Sequence, residues 1–280
     1  MFTDVNENDA KAAVKLWGQT VARERGIVTD TETRIFHDLP SIAEGLRKRS
    51  VDAVGLLVQE YESLRHEVKF APIFVTFSGG RIDEEYILLV HRDSGIENVG
   101  QLQGRSLSIY ENPRASLAPA WLDTLLVKAG QKPAAELFGR VSPAGKLPNV
   151  VLPVFFRKVD ACVVSRRGFE TLVELNPQVG KQLRIIATSP PLVAAVFCFR
   201  ADYAPAFKEQ VMAGLRDLHT TTAGQQVLTV FRSERMEERT PSVLQNAMDL
   251  LAEHRRLCPP TGKAGGLQSA LTRHSKGRAP

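Results

Sequence analysis

The sequence predicts an α/β protein made of two blocks, and three observations predict it. Strand-like and helix-like stretches alternate from the amino end as far as His91. The same rhythm restarts after Arg92-Asp93-Ser94-Gly95. It breaks again at Ser189-Pro190-Pro191 and then resumes with a long apolar run. Alternation of this kind is the mark of a largely parallel sheet with helices returning between strands.

Asn6 to Arg25 carries Ala10, Ala13, Val14, Trp17 and Val21 on one helical stripe, with Asn6 or Asn8 as cap and Gly26 as stop. Thr33 to Phe36 reads as a short strand, and Leu39 to Lys48 as a helix capped by Asp38. Val51-Asp-Ala-Val-Gly-Leu-Leu57 is a buried strand by length and branching, followed by a short helix from Val58 to Leu64. Val68–Phe77 and Tyr86–His91 are strands joined through Ser78-Gly79-Gly80. In the second block Leu107, Ile109 and Tyr110 mark a strand. Helices are expected near Pro148–Arg157 and Phe169–Leu175, and strands over Asp160–Val164 and Leu183–Ala187. Leu192 to Phe199 is a further strand. Three helices then close the body, Pro205–Leu218, Thr222–Phe231 and Val243–Leu257, the last with Thr240 as cap and Pro241 at its first position. A middle block reached by two chain passes is a hinge arrangement. It divides the chain into residues 1–90 plus 190–257 and residues 91–189, with a ligand cleft between the lobes.

Charge sharpens what the body can do. The net charge of +5 is concentrated at the carboxyl end, where residues 258–280 carry Lys263, Arg273, Lys276 and Arg278 and no acid. Setting those four of 36 basic residues aside leaves 32 against 31 acidic, a nearly neutral body with no nucleic-acid surface. Residues 258–280 lack periodicity and read as a disordered basic tail. Cys162, Cys198 and Cys258 have no metal-ligand spacing, and the first two sit in apolar runs as small hydrophobes. No run reaches the roughly 18 apolar residues of a membrane span, and no signal peptide follows Met1.

The most informative stretch is Ser106-Leu-Ser-Ile-Tyr-Glu-Asn-Pro-Arg-Ala-Ser-Leu-Ala-Pro-Ala-Trp-Leu-Asp-Thr-Leu-Leu126. A strand breaks at Pro113, which has no N–H for a ladder, and a helix with Leu117, Trp121, Leu125 and Leu126 on one stripe runs to Gly130. Strand, polar turn and helix start collect backbone N–H groups at one point, and Arg114, Ala115 and Ser116 stand there. A guanidinium and a hydroxyl at a helix start suit an oxyanion; the plainer reading is a βα turn with Asn112 or Ser116 as N-cap. Ser165 and Arg166 stand at the carboxyl end of the Asp160–Val164 strand and could converge on the same anion, although Arg166-Arg167 also reads as a solvated pair. In the first block Thr3, Asn6, Glu60 and Tyr61 lie at turns facing the expected cleft. Asp83-Glu84-Glu85 reads as a solvated turn.

Four stretches resemble the phosphate/phosphite/phosphonate-type substrate-binding proteins of ABC transporters. They are Val51-Asp-Ala-Val-Gly-Leu with Glu60-Tyr61, Tyr86-Ile-Leu-Leu-Val-His-Arg-Asp-Ser-Gly-Ile96, Gln101-Leu-Gln-Gly-Arg-Ser-Leu-Ser108 and Val159-Asp-Ala-Cys-Val-Val164. They occur in the family's order across about residues 5 to 250. The resemblance implies a type 2 periplasmic-binding-protein fold, a periplasmic location, and a small anionic ligand delivered to a permease. It also places Tyr61 among ligand-lining positions. Two departures qualify it. Where the family grips phosphonate with a Ser/Thr-rich turn, Glu111-Asn-Pro-Arg-Ala-Ser116 offers only Ser116 and adds Arg114, so the ligand class widens to phosphate/phosphonate-like anions or carboxylates. The family's first strand has no counterpart before Thr3-Asp4-Val5-Asn6, which implies a start placed downstream of the native one, with the exported leader lost.

No catalytic set competes with this reading. His37, His66, His91, His219, His254 and His274 are scattered, and no nucleophile elbow, phosphate loop or acidic metal cluster occurs. The expectation is a binding protein, not an enzyme, without cofactor or metal, monomeric, with a permease as partner. The alternative is a module that presents its closed state to a membrane receptor kinase. A transcription-factor effector domain shares the fold too, but no DNA-binding helix-turn-helix is expected ahead of this one.

Overall fold

A computed structural model of the chain describes residues 7–24, 26–27 and 32–259. In chain order the elements are α1 (Glu7–Glu24), α2 (Leu39–Arg47), β1 (Ala53–Leu57), α3 (Val58–Leu64), β2 (Phe70–Phe77), β3 (Tyr86–His91) and β4 (Ser106–Tyr110). They continue as α4 (Ala118–Lys128), α5 (Ala134–Leu137), β5 (Arg140–Ala144), α6 (Leu147–Phe155), β6 (Ala161–Ser165), α7 (Arg166–Leu175), α8 (Pro177–Gln182) and β7 (Leu183–Thr188). The chain ends through β8 (Ala195–Arg200), α9 (Lys208–Arg216), α10 (Thr222–Val230), β9 (Arg235–Arg239) and α11 (Gln245–Leu257).

These elements form two compact units. The first takes the chain up to Asp83 and Ala195–Gln245; the second takes Glu84–Ala194 and the residues from Asn246. The boundary expected after residue 90 therefore falls after Asp83. The reason is β3, which pairs antiparallel with both β6 and β7 and so belongs to the second sheet. The expected return of residues 190–257 to the first block also ends early. From Asn246 onward α11 is held by the second unit: Asn246 donates to the Pro191 carbonyl at 3.2 Å, Glu253 meets Lys128 at 2.7 Å, and His254 meets Asp123 at 3.5 Å. Three chain passes thus link the units where two were expected.

The first unit holds a four-stranded sheet in the order β1-β8-β2-β9. It was expected to be largely parallel. Instead every neighbouring pair is antiparallel, because β8 returns from the second unit and slots between β1 and β2, which themselves run the same way. The expected strand Thr33–Phe36 is absent: β1 ends the sheet, so this segment finds no ladder partner among the described residues. α2 forms as expected. The Asp38 carboxylate accepts from the Ser41 N–H at 2.7 Å, and Ile42, Ala43 and Leu46 are buried. Phe74, Phe199, Met212 and Leu215 make the core under α9, and Trp17 of α1 packs against them.

The second unit holds a five-stranded sheet in the order β5-β4-β6-β3-β7. β4 lies parallel to β5 and β6, while β3 runs the other way. All six residues of β3 are buried, which accounts for the unbroken apolar run Tyr-Ile-Leu-Leu-Val in a central strand. Ile87, Leu89, Cys162 and Val164 meet Val150, Val151, Val154 and Phe169 from α6 and α7 in its core. Burial pushes the Cys162 and Cys198 thiols up, so both remain apolar core groups. The tail from residue 260 lies outside the described residues. Among the described residues no helix is long and apolar enough to cross a membrane, and no cluster of potential ligands could hold a metal.

Candidate ligand site

One rim of the second sheet gathers the chemistry. The register sets Tyr86 opposite Ser165, Ile87 opposite Thr188, and Tyr110 opposite Ala144. The carboxyl ends of β4, β5, β6 and β7 therefore share one rim with the amino end of β3. The turns into α4, α6 and α7 all start there.

The turn after β4 is a single 3₁₀ turn, Pro113–Ala115, with Asn112 at its N-cap. Asn112 was one of two expected caps and is the one used: its Oδ1 accepts from the Arg114 N–H at 2.9 Å. The Ala115 N–H goes to the Asn112 carbonyl at 2.8 Å and the Ser116 N–H to the Pro113 carbonyl at 3.2 Å. Three of the backbone donors that the sequence offered to an anion, those of Arg114, Ala115 and Ser116, are thus spent inside the turn, and Ala115, 3% exposed, presents nothing further. The side chains remain. The Ser116 hydroxyl oxygen is buried and has no hydrogen-bond partner among the described residues. A buried polar group without a partner costs about 1–3 kcal/mol, so a group that accepts from this hydroxyl is favoured there.

Tyr86 fixes the turn from beneath. Its hydroxyl donates to the Arg114 carbonyl at 2.7 Å, and its ring lies 6.3 Å from that of Trp121 in α4. Burial, with the Glu84 charge adding to it, pushes the phenol up, so it stays a neutral donor.

Three guanidiniums reach this rim. Arg114 Nη1 meets Glu84 Oε1 at 3.3 Å, and Arg167 Nη2 meets the same oxygen at 3.9 Å. Arg166 Nε bonds Glu85 Oε2 at 2.7 Å, and its Nη2 bonds the Thr188 hydroxyl at 3.1 Å. The Asp83-Glu84-Glu85 turn is therefore not simply solvated. Glu84 is only 8% exposed and joins two arginines from different helix starts. Glu84 and Arg167 are what the sequence reading missed. The available signal was two acids immediately ahead of a strand in a chain whose neighbouring turns begin with arginine. Ser165 is a helix cap, its Oγ accepting from the Gly168 N–H at 3.3 Å. The rim thus brings together Arg114, Ser116, Ser165 and Arg166 of the expected residues.

The remaining expected residues are elsewhere. Thr3 and Asn6 lie outside the described residues. Tyr61 is in the first unit, 6% exposed, with its ring 5.5 Å from that of Phe70. With Arg65, His66, Lys69 and Ala201 it borders an open hollow of about 460 Å³. Register places Phe70 opposite Arg200, at the end of the sheet away from Ala195. Glu60 caps its own helix, accepting from the Leu57 N–H at 2.8 Å.

Comparisons with known proteins give this geometry its context. The family model for "ABC transporter, phosphonate, periplasmic substrate-binding protein" matches residues 1–244. No curated protein matches the sequence. Among solved structures, the Xanthomonas citri protein XAC2383 bound to ATP is 20% identical with a TM-score of 0.65, covering 89% of this chain and 94% of its own. A binding protein component of an ABC phosphonate transporter from Pseudomonas aeruginosa, PA3383, is 16% identical with a TM-score of 0.61, covering 98% and 91%. PhnD1 from Prochlorococcus marinus, in complex with methylphosphonate, is 14% identical with a TM-score of 0.59, covering 90% and 95%. These likenesses carry the two-lobed fold. The family's description is one of transport, and nothing in it supports the receptor-kinase alternative. By the match over residues 1–244, the chain belongs to the phosphonate-type periplasmic substrate-binding proteins of ABC transporters.

Proposed function

We propose that the rim of the second sheet captures a small oxyanion, phosphate- or phosphonate-like or a carboxylate, for delivery to an ABC transporter permease in the periplasm. The observation that carries this is the turn at Arg114 and Ser116. A guanidinium from that turn stands on the same rim as Arg166 and Arg167, and a buried hydroxyl beside it lacks a partner. An oxyanion can accept from the hydroxyl and pair with the guanidiniums in place of the carboxylates they now meet. Each charge-assisted bond contributes about 1.5–3 kcal/mol net, so three near the upper end of that range approach micromolar capture, about −8 kcal/mol. Arg114 and Ser116 contact the ligand directly in this reading. Arg166 completes the positive rim, and Ser165 orients the turn that carries it. Nothing in the arrangement supplies a base and nucleophile pair, which favours binding without turnover.

The test is a thermal-shift screen of phosphate, methylphosphonate, methanesulfonate and acetate, followed by calorimetry. Wild type is expected to be stabilised by at least one anion. Arg114→Ala should weaken that anion about tenfold to a hundredfold, by loss of one charge-assisted bond. Stabilisation by neutral solutes alone, or unchanged affinity in Arg114→Ala, overturns the reading.

A further inference from the structure

The rim's guanidiniums are not waiting empty: a carboxylate of the chain already stands on them. Glu84 Oε1 lies 3.3 Å from Arg114 Nη1 and 3.9 Å from Arg167 Nη2, and its side chain is 9% exposed. The backbone of Glu84 is fixed on both sides. Its N–H donates to the Leu192 carbonyl at 2.9 Å, and the Leu192 N–H donates back to the Glu84 carbonyl at 2.9 Å. Glu84 is also the first residue of the second unit, where the chain arrives from Asp83. This is a carboxylate held at high local concentration against the two arginines, on a rigid tether. Its distances are longer than the 2.7–2.9 Å of strong charge-assisted bonds, so the pairs hold without locking.

We propose that Glu84 is a built-in competitor for the anion, occupying Arg114 and Arg167 until a ligand oxyanion displaces it. This rests on the reading of the rim as an anion site. The role has a physical purpose. Two arginines on the same rim as Arg166 would be costly left half-buried without a counter-charge, and Glu84 supplies one in the unliganded protein. When an anion arrives, the exchange replaces one set of charge-assisted bonds with another. Only the difference between them appears as affinity. A tethered competitor divides the intrinsic affinity of every anion that needs those arginines by the same factor, whatever the anion's charge. That common factor separates displacement from two other roles. A carboxylate that stayed beside the ligand would repel a dianion more than a monoanion. A carboxylate that merely positioned the arginines would weaken all anions when removed.

The experiment is calorimetry of methylphosphonate and methanesulfonate at pH 8, with wild type, Glu84→Gln and Glu84→Asp. At that pH the first probe is mostly dianionic and the second monoanionic. Glu84→Gln is expected to tighten both probes by a similar factor of about ten, the worth of one partly buried charged pair. Glu84→Asp, one methylene shorter, should give a smaller gain in the same direction. If Glu84→Gln does not fold, Glu84→Asp alone decides, since a gain supports displacement and no gain or a loss overturns it. Unchanged affinity for both probes in both variants overturns the competitor alone, and so does weakening in Glu84→Gln. A gain confined to methylphosphonate overturns displacement in favour of residual repulsion. Failure of all three proteins to bind either probe overturns the anion site and the competitor with it.

Discussion

Ser106 and Asp160 clamp the amino ends of two neighbouring parallel strands to each other with three hydrogen bonds. The Ser106 N–H and hydroxyl both donate to Asp160 Oδ2, at 2.8 and 2.6 Å, and the Asp160 N–H donates to Ser106 Oγ at 3.0 Å. Arg105 adds a guanidinium 3.5 Å from the other carboxylate oxygen. Partial burial alone would raise the Asp160 carboxyl, but the Ser106 bonds and the Arg105 charge outweigh it and hold the carboxyl below its ordinary value of 3.8. A depressed carboxyl stabilises the fold above its unfolded value and loses that contribution as pH falls through the folded one. Asp160→Asn should therefore lose about 1–2 kcal/mol at pH 7, a figure reduced from the charged-bond range for solvent screening. Urea unfolding at pH 7 and again below pH 3 checks this. The gap between variant and wild type should close in acid; a gap that persists there would show that the carboxylate charge is not what matters.

The first unit has its own clamp in Arg200, whose side chain is 8% exposed. Its Nε donates to the Val51 carbonyl at 2.9 Å, and its two terminal nitrogens reach Asp202 at 2.5 Å and Asp52 at 2.8 Å. Arg200→Met keeps much of the volume but strands the carbonyl, while the two carboxylates, about half exposed, regain water. The expected cost is about 2–3 kcal/mol in thermal or urea unfolding. Arg200→Lys should recover less than half of it, because one ammonium cannot reproduce a fork to three acceptors. Full recovery by lysine would reduce the role of Arg200 to its charge.

These two clamps show why parts of the chain were legible early. Val51-Asp52-Ala53 and Val159-Asp160-Ala161 carried the family resemblance, and in both the aspartate ties down the amino end of a strand. They mark architecture, and that is how much such a motif can promise. Local signals also read well where local physics decides: the Asp38 cap, the Gly130 stop at a φ of 75°, and the buried run of β3. What the sequence hid was non-local. Nothing in Leu192–Phe199 says that β8 will insert between β1 and β2 and turn a sheet expected to be parallel into an antiparallel one. Arg235-Met-Glu-Glu-Arg239 is too polar to read as a strand, yet it pairs with β2 along its whole length. At the candidate site the same limit applies. Arg114 and Ser116 were visible as chemistry suited to an anion. That Glu84 would fold back onto Arg114 and Arg167 depends on a register between strands far apart in sequence.

The last prediction concerns Tyr86, which holds the Arg114 turn without standing where the anion would. Its hydroxyl donates to the Arg114 carbonyl at 2.7 Å, so one atom holds the 3₁₀ turn from beneath. Tyr86→Phe keeps the ring against Trp121 and removes only that atom, leaving the Arg114 carbonyl with one partner fewer. The fold should lose about 1–2 kcal/mol, in the range for a buried neutral bond. Because burial raises the phenol above its ordinary 10.0, wild type holds this advantage fully below pH 10 and loses it as pH climbs toward the folded value. The stability difference between the two proteins should therefore be flat from pH 6 to 9 and shrink above 10. Tyr86 acts through Arg114, so anion affinity should fall in Tyr86→Phe. It should fall less than in Arg114→Ala, and in the double variant the tyrosine change should add almost nothing. Additive losses in that double-mutant cycle would mean that Tyr86 serves the ligand by a route other than the turn it supports.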